Sequence, residues 1–335
     1  MKDFDFLAYI SEETESGFKR SIKKKNTKDL PQNELLIKVH YSSLNYKDGL
    51  SARGHKGISR YYPHTPGVDA SGVVVWDKSG KFKSDDEVVV VGYDLGMNTA
   101  GGFEEYICVP SGWANPIPKG MDLKSVMEYG TAGMTVAICI SEMEKFDIFP
   151  DQRNILVTGS TGAVGSLAVG MLSKAGYNVT ASTGKPEKAE MLKQLGAKEV
   201  ISRSEVYDTS AKPLLERKYA SVIDTVGGIT LSTCIRSCDY HGIVCTLGLV
   251  ESDKLDISVY PFILRGISLV GIDSAEKKIE YKKVLWDRIA NEWRVDNYSN
   301  FVKEVSLLDI DNEIELILQG KQAGKILINC KVSKD

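Results

Sequence analysis

The chain has 335 residues, more than one ordinary hydrophobic core accommodates, and this length favours two domains. Hydrophobic residues make up 42% and charged residues 26%, a composition typical of a soluble globular protein. Lys and Arg number 42 against 45 Asp and Glu, a formal charge of -3 that argues against a nucleic-acid or anionic-membrane partner.

The sequence contains no recognisable membrane span, signal peptide or disulfide framework. No apolar run approaches the roughly 20 residues that span a bilayer, and the start MKDFDFLAYISEETESG lacks a signal-peptide pattern, so we expect a cytoplasmic protein. The cysteines form no CxxC pair, and we interpret them as reduced, mostly buried thiols rather than disulfides or a metal cluster. They are Cys108, Cys139, Cys234, Cys238, Cys245 and Cys330.

The first third of the chain is rich in β-formers. The segments 34–44, 70–76, 87–93 and 103–110 contain Val, Ile and Tyr between Gly, Asp, Lys and Ser punctuation. Their lengths and spacing predict a small antiparallel barrel.

From about residue 124 the pattern changes. An apolar helix-spaced segment, 125–146, is interrupted by Gly130 and Gly133, and strands and helices then alternate from 154 to 248. This alternation predicts a doubly wound parallel sheet with helices on both faces. We further predict a strand over 262–273, an amphipathic helix over about 275–293 and a last strand in GKILINCKV, so the α/β part is inserted between two pieces of another domain.

The segment VTGSTGAVG, residues 157–165, places glycines where a strand becomes a helix. Such a turn lets backbone amides and a helix N-terminus approach a pyrophosphate. Gly162 and Gly165 match the last two positions of G-x-G-x-x-G, whereas Ser160 takes the first, with Gly159 one place earlier. Dinucleotide binding is favoured over a purely structural turn because strand, helix and second strand follow in order. The predicted contacts are Ser160, Thr161, Gly162, Ala163, Val164 and Gly165.

The end of the second strand indicates which dinucleotide is bound. An NAD site usually has an acid there that binds the ribose 2′-hydroxyl. This strand instead ends in Ser182, Thr183, Gly184 and Lys185, and Arg203 follows the next strand. Hydroxyls and positive charge suit a 2′-phosphate, so the sequence predicts NADPH. The alternative is that Lys185 and Arg203 are merely solvated surface charges.

Six motifs in order across the chain carry a resemblance to a known family. They are SSLNYKD (42–48), PGVDASG (66–72), GTAG (130–133), VTGSTGAVG (157–165), IDTVGG (223–228) and PFILRGISLVGIDS (261–274). Together they resemble the zinc-free quinone-oxidoreductase branch of the medium-chain dehydrogenase/reductase superfamily. Within that branch, the group of acryloyl-CoA reductases and YhdH/YhfP-type quinone oxidoreductases is the most similar.

The resemblance implies an architecture. A GroES-like β-barrel catalytic domain would comprise residues 1–124 and most of 266–335, and a central Rossmann domain would comprise 125–265. A cleft between the domains and a homodimer are also implied. The dimer would pair an edge strand of the Rossmann sheet, here near Ile267 to Ile272.

The resemblance also bears on a metal. Zinc-dependent members have a Cys ligand where this chain has Asn45, and a His-Glu pair where it has Val68 and Asp69. Zinc at a catalytic site usually takes three protein ligands of the Cys, His or carboxylate type. Neither Asn45 nor Val68 meets that requirement, so we expect no metal.

A metal-free reductase implies a particular reaction. Without a Lewis acid, alcohol oxidation lacks its usual stabilisation of an alkoxide, whereas hydride addition to a conjugated C=C fits. The expected activity is NADPH-dependent reduction of acryloyl-CoA or a short enoyl-CoA, with hydride added to the β-carbon and the negative charge taken up as an enolate. NADPH:quinone reduction is the alternative within enzymes, and a non-catalytic NADPH-binding protein is the alternative of another class.

The polar segment Asn45, Tyr46, Lys47 and Asp48 lies where the family has its cleft. We predict that Asn45, Tyr46 and Asp48 are catalytic and that Tyr46 contacts the cofactor or supplies a proton. Protonation of the enolate by solvent remains open. For Asp48 and Asp69, hydrogen bonding that only stabilises loops is an equally good interpretation.

Further contacts follow from the resemblance alone. Thr131 corresponds to a threonine near the nicotinamide, and Leu249 and Ile272 to residues that line the same half of the cofactor. Lys325 is expected to reach the cofactor as well. The alternatives are packing at a helix start for Thr131, core packing for Leu249 and Ile272, and a surface position for Lys325.

The stretch from Arg53 to Arg60 has three positive charges and is followed by two tyrosines. Coenzyme A has phosphates and an adenine that match such charge and aromatic surface. We therefore predict that Arg53, Lys56 and Arg60 bind a CoA substrate, the alternative being a solvated loop.

Overall fold

The computed structural model describes residues 3–150 and 153–332. Within these residues the chain forms fifteen β-strands and eight α-helices. The strands are β1 Asp5–Thr14, β2 Gly17–Asn26, β3 Leu35–Leu44, β4 Asp69–Asp77, β5 Glu87–Val91, β6 Tyr106–Val109, β7 Ala114–Pro116, β8 Asn154–Val157, β9 Asn178–Thr183, β10 Glu199–Ser202, β11 Tyr219–Asp224, β12 Cys238–Thr246, β13 Ser268–Gly271, β14 Val302–Ser306 and β15 Lys325–Asn329. The helices are α1 Tyr46–Ala52, α2 Leu123–Lys145, α3 Ala163–Lys174, α4 Ala189–Gln194, α5 Gly228–Ser237, α6 Tyr260–Arg265, α7 Ile279–Asn291 and α8 Ile310–Leu318.

The chain divides into two compact units. The first comprises the chain through Thr131, the segment Ala275–Ala290 and the residues from Ser299 onward. The second comprises Ala132–Ser274 and Asn291–Tyr298. These divisions differ from the boundaries at 124 and 265 because α2 runs across the first one, and because β13 and the loop after it stay with the second unit.

The second unit contains a six-stranded parallel sheet in the order β10-β9-β8-β11-β12-β13. Its strands are short and apolar, and β8 and β11 are buried almost throughout, as expected for strands covered on both faces. This confirms the predicted doubly wound α/β fold. The order reverses between β8 and β11, and ligands of such sheets bind beyond the carboxyl ends of the strands at that point.

One prediction in this unit is wrong in part. The segment 262–273 is not one strand, because α6 occupies Tyr260–Arg265 and only Ser268–Gly271 forms β13. Pro261 lies in the first turn of α6, where its fixed φ suits a helix start, and Gly266 ends the helix with a φ of 62°.

The first unit contains a seven-stranded sheet. Its path is β14-β15-β3-β4-β5-β7, with β6 paired to β3. The predicted antiparallel pairing holds from β15 through β7, whereas β14 pairs with β15 in parallel. A buried cluster that includes Leu35, Ile37, Val88, Phe103 and Ile326 forms the core of this unit.

The sequence did not predict several elements of the first unit. They are the β1–β2 hairpin, the short helix α1, the strand β14 and the helix α8. In the hairpin, β2 contains the basic run Lys23–Lys25 in place of a clear alternation, and α1 is only seven residues long. Elements this short depend on tertiary packing more than on local propensity.

Candidate functional site

The glycine loop after β8 is closed by contacts that only glycine allows. Gly159 has a φ of 57°, and a Cβ there would lie 2.2 Å from the Thr225 hydroxyl oxygen. A Cβ on Gly165 would lie 2.3 Å from the carbonyl oxygen of Gly159. The Ser160 N–H donates to the Ser182 carbonyl at 3.1 Å, and its hydroxyl donates to a carbonyl of β8 at 2.7 Å. The loop therefore turns tightly onto the end of β9.

The helix that follows the loop begins without a side-chain cap. Gly162 is the N-cap of α3 and makes no side-chain cap hydrogen bond, and Gly162, Ala163 and Val164 are only half-buried. At α5, in contrast, the Glu251 carboxylate accepts the N–H groups of Ile229 and Thr230, both at 3.2 Å. An uncapped N-terminus presents free N–H groups and a positive dipole end, so the start of α3 is suited to bind an anion.

Hydroxyl and positively charged groups collect at the end of β9. The Thr183 hydroxyl lies 3.4 Å from that of Thr161 and accepts the N–H of Lys185 at 3.0 Å. The Arg203 guanidinium packs over Gly184, where a Cβ would lie 2.5 Å from its Nε. Burial lowers the pKa of Lys185, and the Arg203 charge acts in the same direction. Two cations thus lie beside the predicted 2′-phosphate position.

The two apolar residues predicted to line the cofactor differ in exposure. Leu249 is 59% exposed, so core packing is the wrong interpretation for this residue. Its loop is held by Glu251 and by Gly248, at which a Cβ would lie 2.0 Å from the Thr225 carbonyl oxygen. Ile272 is half-buried, and its N–H donates to the Thr246 carbonyl at 3.0 Å.

In the first unit, a buried polar cluster centres on Asp69 at the start of β4. Its Oδ2 accepts the Ser43 hydroxyl and, at 2.8 Å, the side-chain amide of Asn45. Its Oδ1 accepts the N–H and the hydroxyl of Thr131, at 3.0 and 2.5 Å. Gly130 interrupts α2 with a φ of 50° and a ψ of -148°, and a Cβ there would lie 2.7 Å from Asp69 Oδ2. The break in α2 thus brings Thr131 onto the carboxylate.

Asp48, fully buried, fixes the start of α1. Its Oδ2 accepts the backbone N–H of Asn45 at 2.7 Å and the Asn45 side-chain amide at 3.2 Å, and its Oδ1 accepts the N–H of Val68 at 3.0 Å. Burial and the nearby Asp69 charge raise the pKa of Asp48 to about 7. The loop-stabilising interpretation of Asp48 and Asp69 is thus supported by these hydrogen bonds, which leave a catalytic role for Asp48 as a proposal.

Lys325 begins β15 and lies entirely inside the protein. It follows Gly324, which has a φ of 73° and at which a Cβ would lie 2.3 Å from the Phe301 carbonyl oxygen. The lysine is 0% exposed, so it is not the surface residue of the alternative interpretation. Its Nζ lies 3.9 Å from Asp69 Oδ2 and has no hydrogen-bond partner among the described residues. Burial lowers the pKa of Lys325, whereas the Asp69 and Asp48 charges oppose that shift.

Tyr46 is the first residue of α1 and is 39% exposed. No hydrogen bond of its phenol to another described residue is present, so the hydroxyl is available to a ligand. Among the neighbouring residues of the chain, Asn45 and Asp48 are instead engaged in the cluster around Asp69.

The three cations predicted to bind the substrate differ in whether they form ion pairs. Arg53 forms an ion pair with Glu315, and Lys56 pairs with Glu13 at 2.7 Å while its Nζ lies over the Tyr62 ring. Arg60 is exposed, and its guanidinium forms no ion pair within the described part of the chain. Tyr61 beside it is 72% exposed.

Sequence reasoning missed two members of the buried cluster. Ser43 and Gly130 were not assigned to the site, and Asp69 was considered without a role. Asp69 meets Thr131 across 62 residues of sequence, a separation that no local pattern reports. The available signal was that Ser43, Asp69 and Gly130 all lie within the motifs that carry the family resemblance.

Within the described residues, no group of three or more His, Cys, Asp or Glu side chains is arranged to hold a metal ion. None of the helices described is both long and apolar enough to cross a bilayer.

Two family models match the chain. The alcohol dehydrogenase GroES-like domain matches residues 31–119, and the domain described as zinc-binding dehydrogenase matches residues 163–291. The GroES-like match covers most of the sheet of the first unit, and the other match begins at α3. Both confirm the fold class expected from the sequence.

Several known proteins are similar over nearly their whole length. YhfP of Bacillus subtilis (strain 168), provisionally named a quinone oxidoreductase, is 41% identical over 96% of this chain and 98% of its own. Its structure with NAD bound gives a TM-score of 0.94 at 40% identity, covering 97% and 99% of the two chains. The acrylyl-CoA reductase AcuI of Ruegeria pomeroyi is 34% identical over 97% of this chain and 99% of its own.

A third relative is the yhdH oxidoreductase of Salmonella enterica, solved in complex with NADP. It is 33% identical, has a TM-score of 0.94 and covers 97% of this chain and 100% of its own. Sequence identities this high over whole chains indicate common family membership and not only a shared fold. The chain belongs to the zinc-independent quinone oxidoreductase/acrylyl-CoA reductase group of the medium-chain dehydrogenase/reductase superfamily.

Proposed function

We propose that this oxidoreductase uses NADPH to reduce an activated C=C bond, namely that of acryloyl-CoA or a related short enoyl-CoA. The observation that carries the proposal is the uncapped, glycine-preceded N-terminus of α3 beside a cluster of hydroxyls and cations at the end of β9. When bound, NADPH supplies the hydride.

The residues of the second unit fit a dinucleotide. The start of α3 offers its first N–H groups to the pyrophosphate, and Gly162 leaves room for it, since the nearest atom to a Cβ there would be 3.5 Å away. Leu249 presents an exposed apolar side chain suited to a nicotinamide face.

NADPH is proposed over NADH on this chain's own residues. Thr183, Lys185 and Arg203 supply hydroxyl and positively charged groups, and the strand end from Ala181 to Lys185 has no carboxylate for a ribose 2′-hydroxyl. The relatives differ on this point, since one is solved with NADP and one with NAD.

The cofactor proposal is tested by measuring kcat/KM with NADPH and with NADH for the wild type and Arg203→Ala. We expect the wild type to prefer NADPH. The variant should lose at least about tenfold in kcat/KM for NADPH, about 1.4 kcal/mol, and little for NADH. The control is Arg217→Ala, which removes an arginine paired with Asp239 on the surface of the same unit. A wild-type preference for NADH would refute the assignment.

In the first unit, we assign Tyr46 a hydrogen bond to the bound cofactor or substrate, because its phenol is accessible and has no partner among the described residues. Asn45 and Asp48 fix the start of α1 and so orient Tyr46. A donor aimed at an oxygen that gains negative charge is the main way a metal-free site stabilises an enolate.

For a CoA substrate, the geometry favours Arg60 over its two neighbours as the phosphate contact. Arg53 and Lys56 are already paired with acids, whereas Arg60 pairs with no acid in the part of the chain that the structure describes. The support for a CoA thioester is this free cation beside the exposed Tyr61, together with the similarity to acrylyl-CoA reductases.

The substrate is tested with a panel of enoyl-CoAs, enones, quinones and free acrylate under saturating NADPH. We expect acryloyl-CoA to have the highest kcat/KM, and equal values for acryloyl-CoA and acrylate would refute the CoA proposal. Arg60→Ala should lower kcat/KM for acryloyl-CoA but not for the acryloyl thioester of N-acetylcysteamine, which lacks the phosphates. Lys56→Ala is the matched control.

Quinone reduction is the second candidate. YhfP, at 41% identity, bears that name, and the pairing of Arg53 and Lys56 leaves less free positive charge for CoA phosphates than the sequence suggested. The same panel distinguishes the two, since a quinone reductase would turn over benzoquinones and leave acryloyl-CoA unreduced.

We also propose a homodimer through the edge of the parallel sheet. Among the described strands β13 pairs with β12 alone, so its other edge is open to a second copy of the strand. Nearby, α6 exposes Ile263 and Leu264. Light scattering should report a dimer for the wild type and a monomer for Ile263→Glu, while Val284→Glu, on an exposed face of α7, should stay dimeric. A monomeric wild type would refute this.

A further inference from the structure

Lys325 differs from every other member of the cluster around Asp69 in how it is held. Asn45, Ser43 and Thr131 each donate hydrogen bonds to the Asp69 carboxylate. The Lys325 Nζ comes no closer to it than 3.9 Å and is buried without a hydrogen-bond partner among the described residues. The ammonium therefore interacts with the cluster through its charge alone.

Asp69 cannot readily accept a further bond. A carboxylate has about four acceptor positions, and here two donors reach each oxygen. A lysine in this place is also costly, because burial removes the hydration of its charge without replacing it by hydrogen bonds. A methionine would fill similar space without that cost. What lysine adds at this position is therefore its charge.

The charge has an evident counterpart. Asp48 and Asp69 are both fully buried, and the side-chain amide of Asn45 donates to both, at 3.2 and 2.8 Å. The two carboxylates are thus held close together, a like-charge arrangement that is unfavourable when both are ionised. The charged groups that act on Lys325 are Asp69 first and Asp48 second, and Asp48 is also affected by the Lys47 charge.

We propose that Lys325 is a positioning residue whose buried ammonium balances the Asp48–Asp69 carboxylate pair and so maintains the hydrogen bonds that fix Asn45, Tyr46 and Thr131. It acts on the site through these carboxylates and not by contact with the cofactor, the role that the family resemblance implied. The register of the sheet explains how it reaches them. Ile326, the next residue, pairs with Leu44, the residue that precedes Asn45.

The sign of the effect follows from the charges. Without the ammonium, ionisation of the second carboxylate becomes less favourable, so the pKa of Asp48, already about 7, should rise further. A carboxyl group whose pKa is higher in the folded than in the unfolded state lowers stability progressively as the pH rises to the folded value. The loss of stability in Lys325→Met should therefore be greater at pH 8 than at pH 5.5.

The test compares the full-length wild type, Lys325→Met and Lys321→Met. Lys321 is the control because it is an exposed lysine four residues before Lys325 that forms no ion pair with a described residue. Thermal unfolding is measured from pH 5.5 to 8.5. The pH profile of kcat/KM is measured with NADPH and the best substrate of the panel, and NADPH affinity is measured by fluorescence titration.

We expect the Tm of Lys325→Met to fall further below that of the wild type as the pH rises. The acid limb of its pH profile of kcat/KM should move up by about one pH unit. Lys321→Met should do neither. A Tm loss that is the same at every pH, with an unmoved profile, would assign Lys325 to packing. Weakened NADPH binding with an unmoved profile would assign it to cofactor contact. Either result overturns the proposal.

The pH profile of kcat/KM rests on the proposed function, whereas the pH dependence of Tm does not. The Tm measurement therefore tests the role of Lys325 even if the proposed function is wrong. Should Lys325→Met not fold, Lys325→Met/Asp48→Asn provides the second measurement. This double variant removes the surplus negative charge, and with Asp48→Asn alone as the reference for the lost hydrogen bond to the Val68 N–H, it should fold and be nearly as stable as that reference. If it does not, the charge-balance proposal is wrong.

Discussion

The Asp69 carboxylate accepts both the N–H and the hydroxyl of Thr131, at 3.0 and 2.5 Å, although the two residues are 62 positions apart in the sequence. Thr131 can reach Asp69 because Gly130 breaks α2 with a backbone conformation that L-residues rarely adopt. A position that the sequence associated with the nicotinamide is thus anchored to the core of the first unit.

Asp69→Asn should be strongly destabilising. This carboxylate accepts four hydrogen bonds from described residues, so an amide NH2 group in its place would face donors and leave at least one of them unsatisfied. We expect a loss of at least about 2 kcal/mol in the free energy of unfolding, measured by urea titration. Asp85→Asn, at an exposed turn of the same unit, should change it little. Equal stability of wild type and Asp69→Asn would contradict the assigned hydrogen bonds.

The protonation of Asp48 should appear in the pH dependence of the wild type. Its pKa of about 7 lies above the ordinary value of 3.8, so the folded protein holds this proton more tightly than the unfolded chain. This group stabilises the fold most below about pH 4, and that contribution declines as the pH rises to about 7. Tm measured over this range should fall more for the wild type than for Asp48→Asn. Parallel curves for the two proteins would show that Asp48 titrates at its ordinary pKa.

The two glycines of the loop should respond differently to alanine. Gly165→Ala places a Cβ 2.3 Å from the Gly159 carbonyl oxygen, and overpacking of this kind costs about 2 kcal/mol of stability. Gly162→Ala meets only one atom, at 3.5 Å, and should fold nearly as well. Because its Cβ would occupy the space proposed for the pyrophosphate, it should raise the Kd for NADPH at least about tenfold. Unfolding curves and NADPH titrations distinguish the two, and tight NADPH binding by Gly162→Ala would contradict the proposed site.

Tyr46→Phe removes an accessible phenol that contacts no hydrogen-bond partner in the described chain. Stability should therefore stay the same, while turnover should fall at least about tenfold, or about 1.4 kcal/mol. Measured kcat and Tm together test this. Tyr61→Phe, at an exposed position outside the cluster, is the control. Unchanged turnover in Tyr46→Phe would remove the phenol from the catalytic role.

The parallel sheet was the most predictable part of the fold. Strands such as β8 and β11 are mostly apolar and buried, and the glycine loop lies between a strand and a helix, so period and composition indicate them directly. The hairpin β1–β2 was missed because β2 has a run of three lysines, Lys23 to Lys25, that does not look like a strand, and the acid that pairs with Lys25 is the distant Glu104.

The candidate site was predictable only in part. The start of α3 and the end of β9 lie together because parallel strands end at one edge of a sheet. The alternation of strands and helices in the sequence is enough to predict this proximity. The sequence could not predict which of Arg53, Lys56 and Arg60 is paired, because the acids that neutralise the first two belong to α8 and β1.

By itself, the sequence determined the order of strands and helices from β8 to β12, the glycine loop and the absence of an acid at the end of the second Rossmann strand. These are local properties of residue type and spacing, which hold before the chain folds. Only the tertiary structure decided which carboxylates share donors, that Lys325 is buried beside them and that Arg60, alone among the three cations, pairs with no acid of the described residues. Burial and charge pairing depend on distances between segments far apart in the chain, and those distances exist only once it is folded.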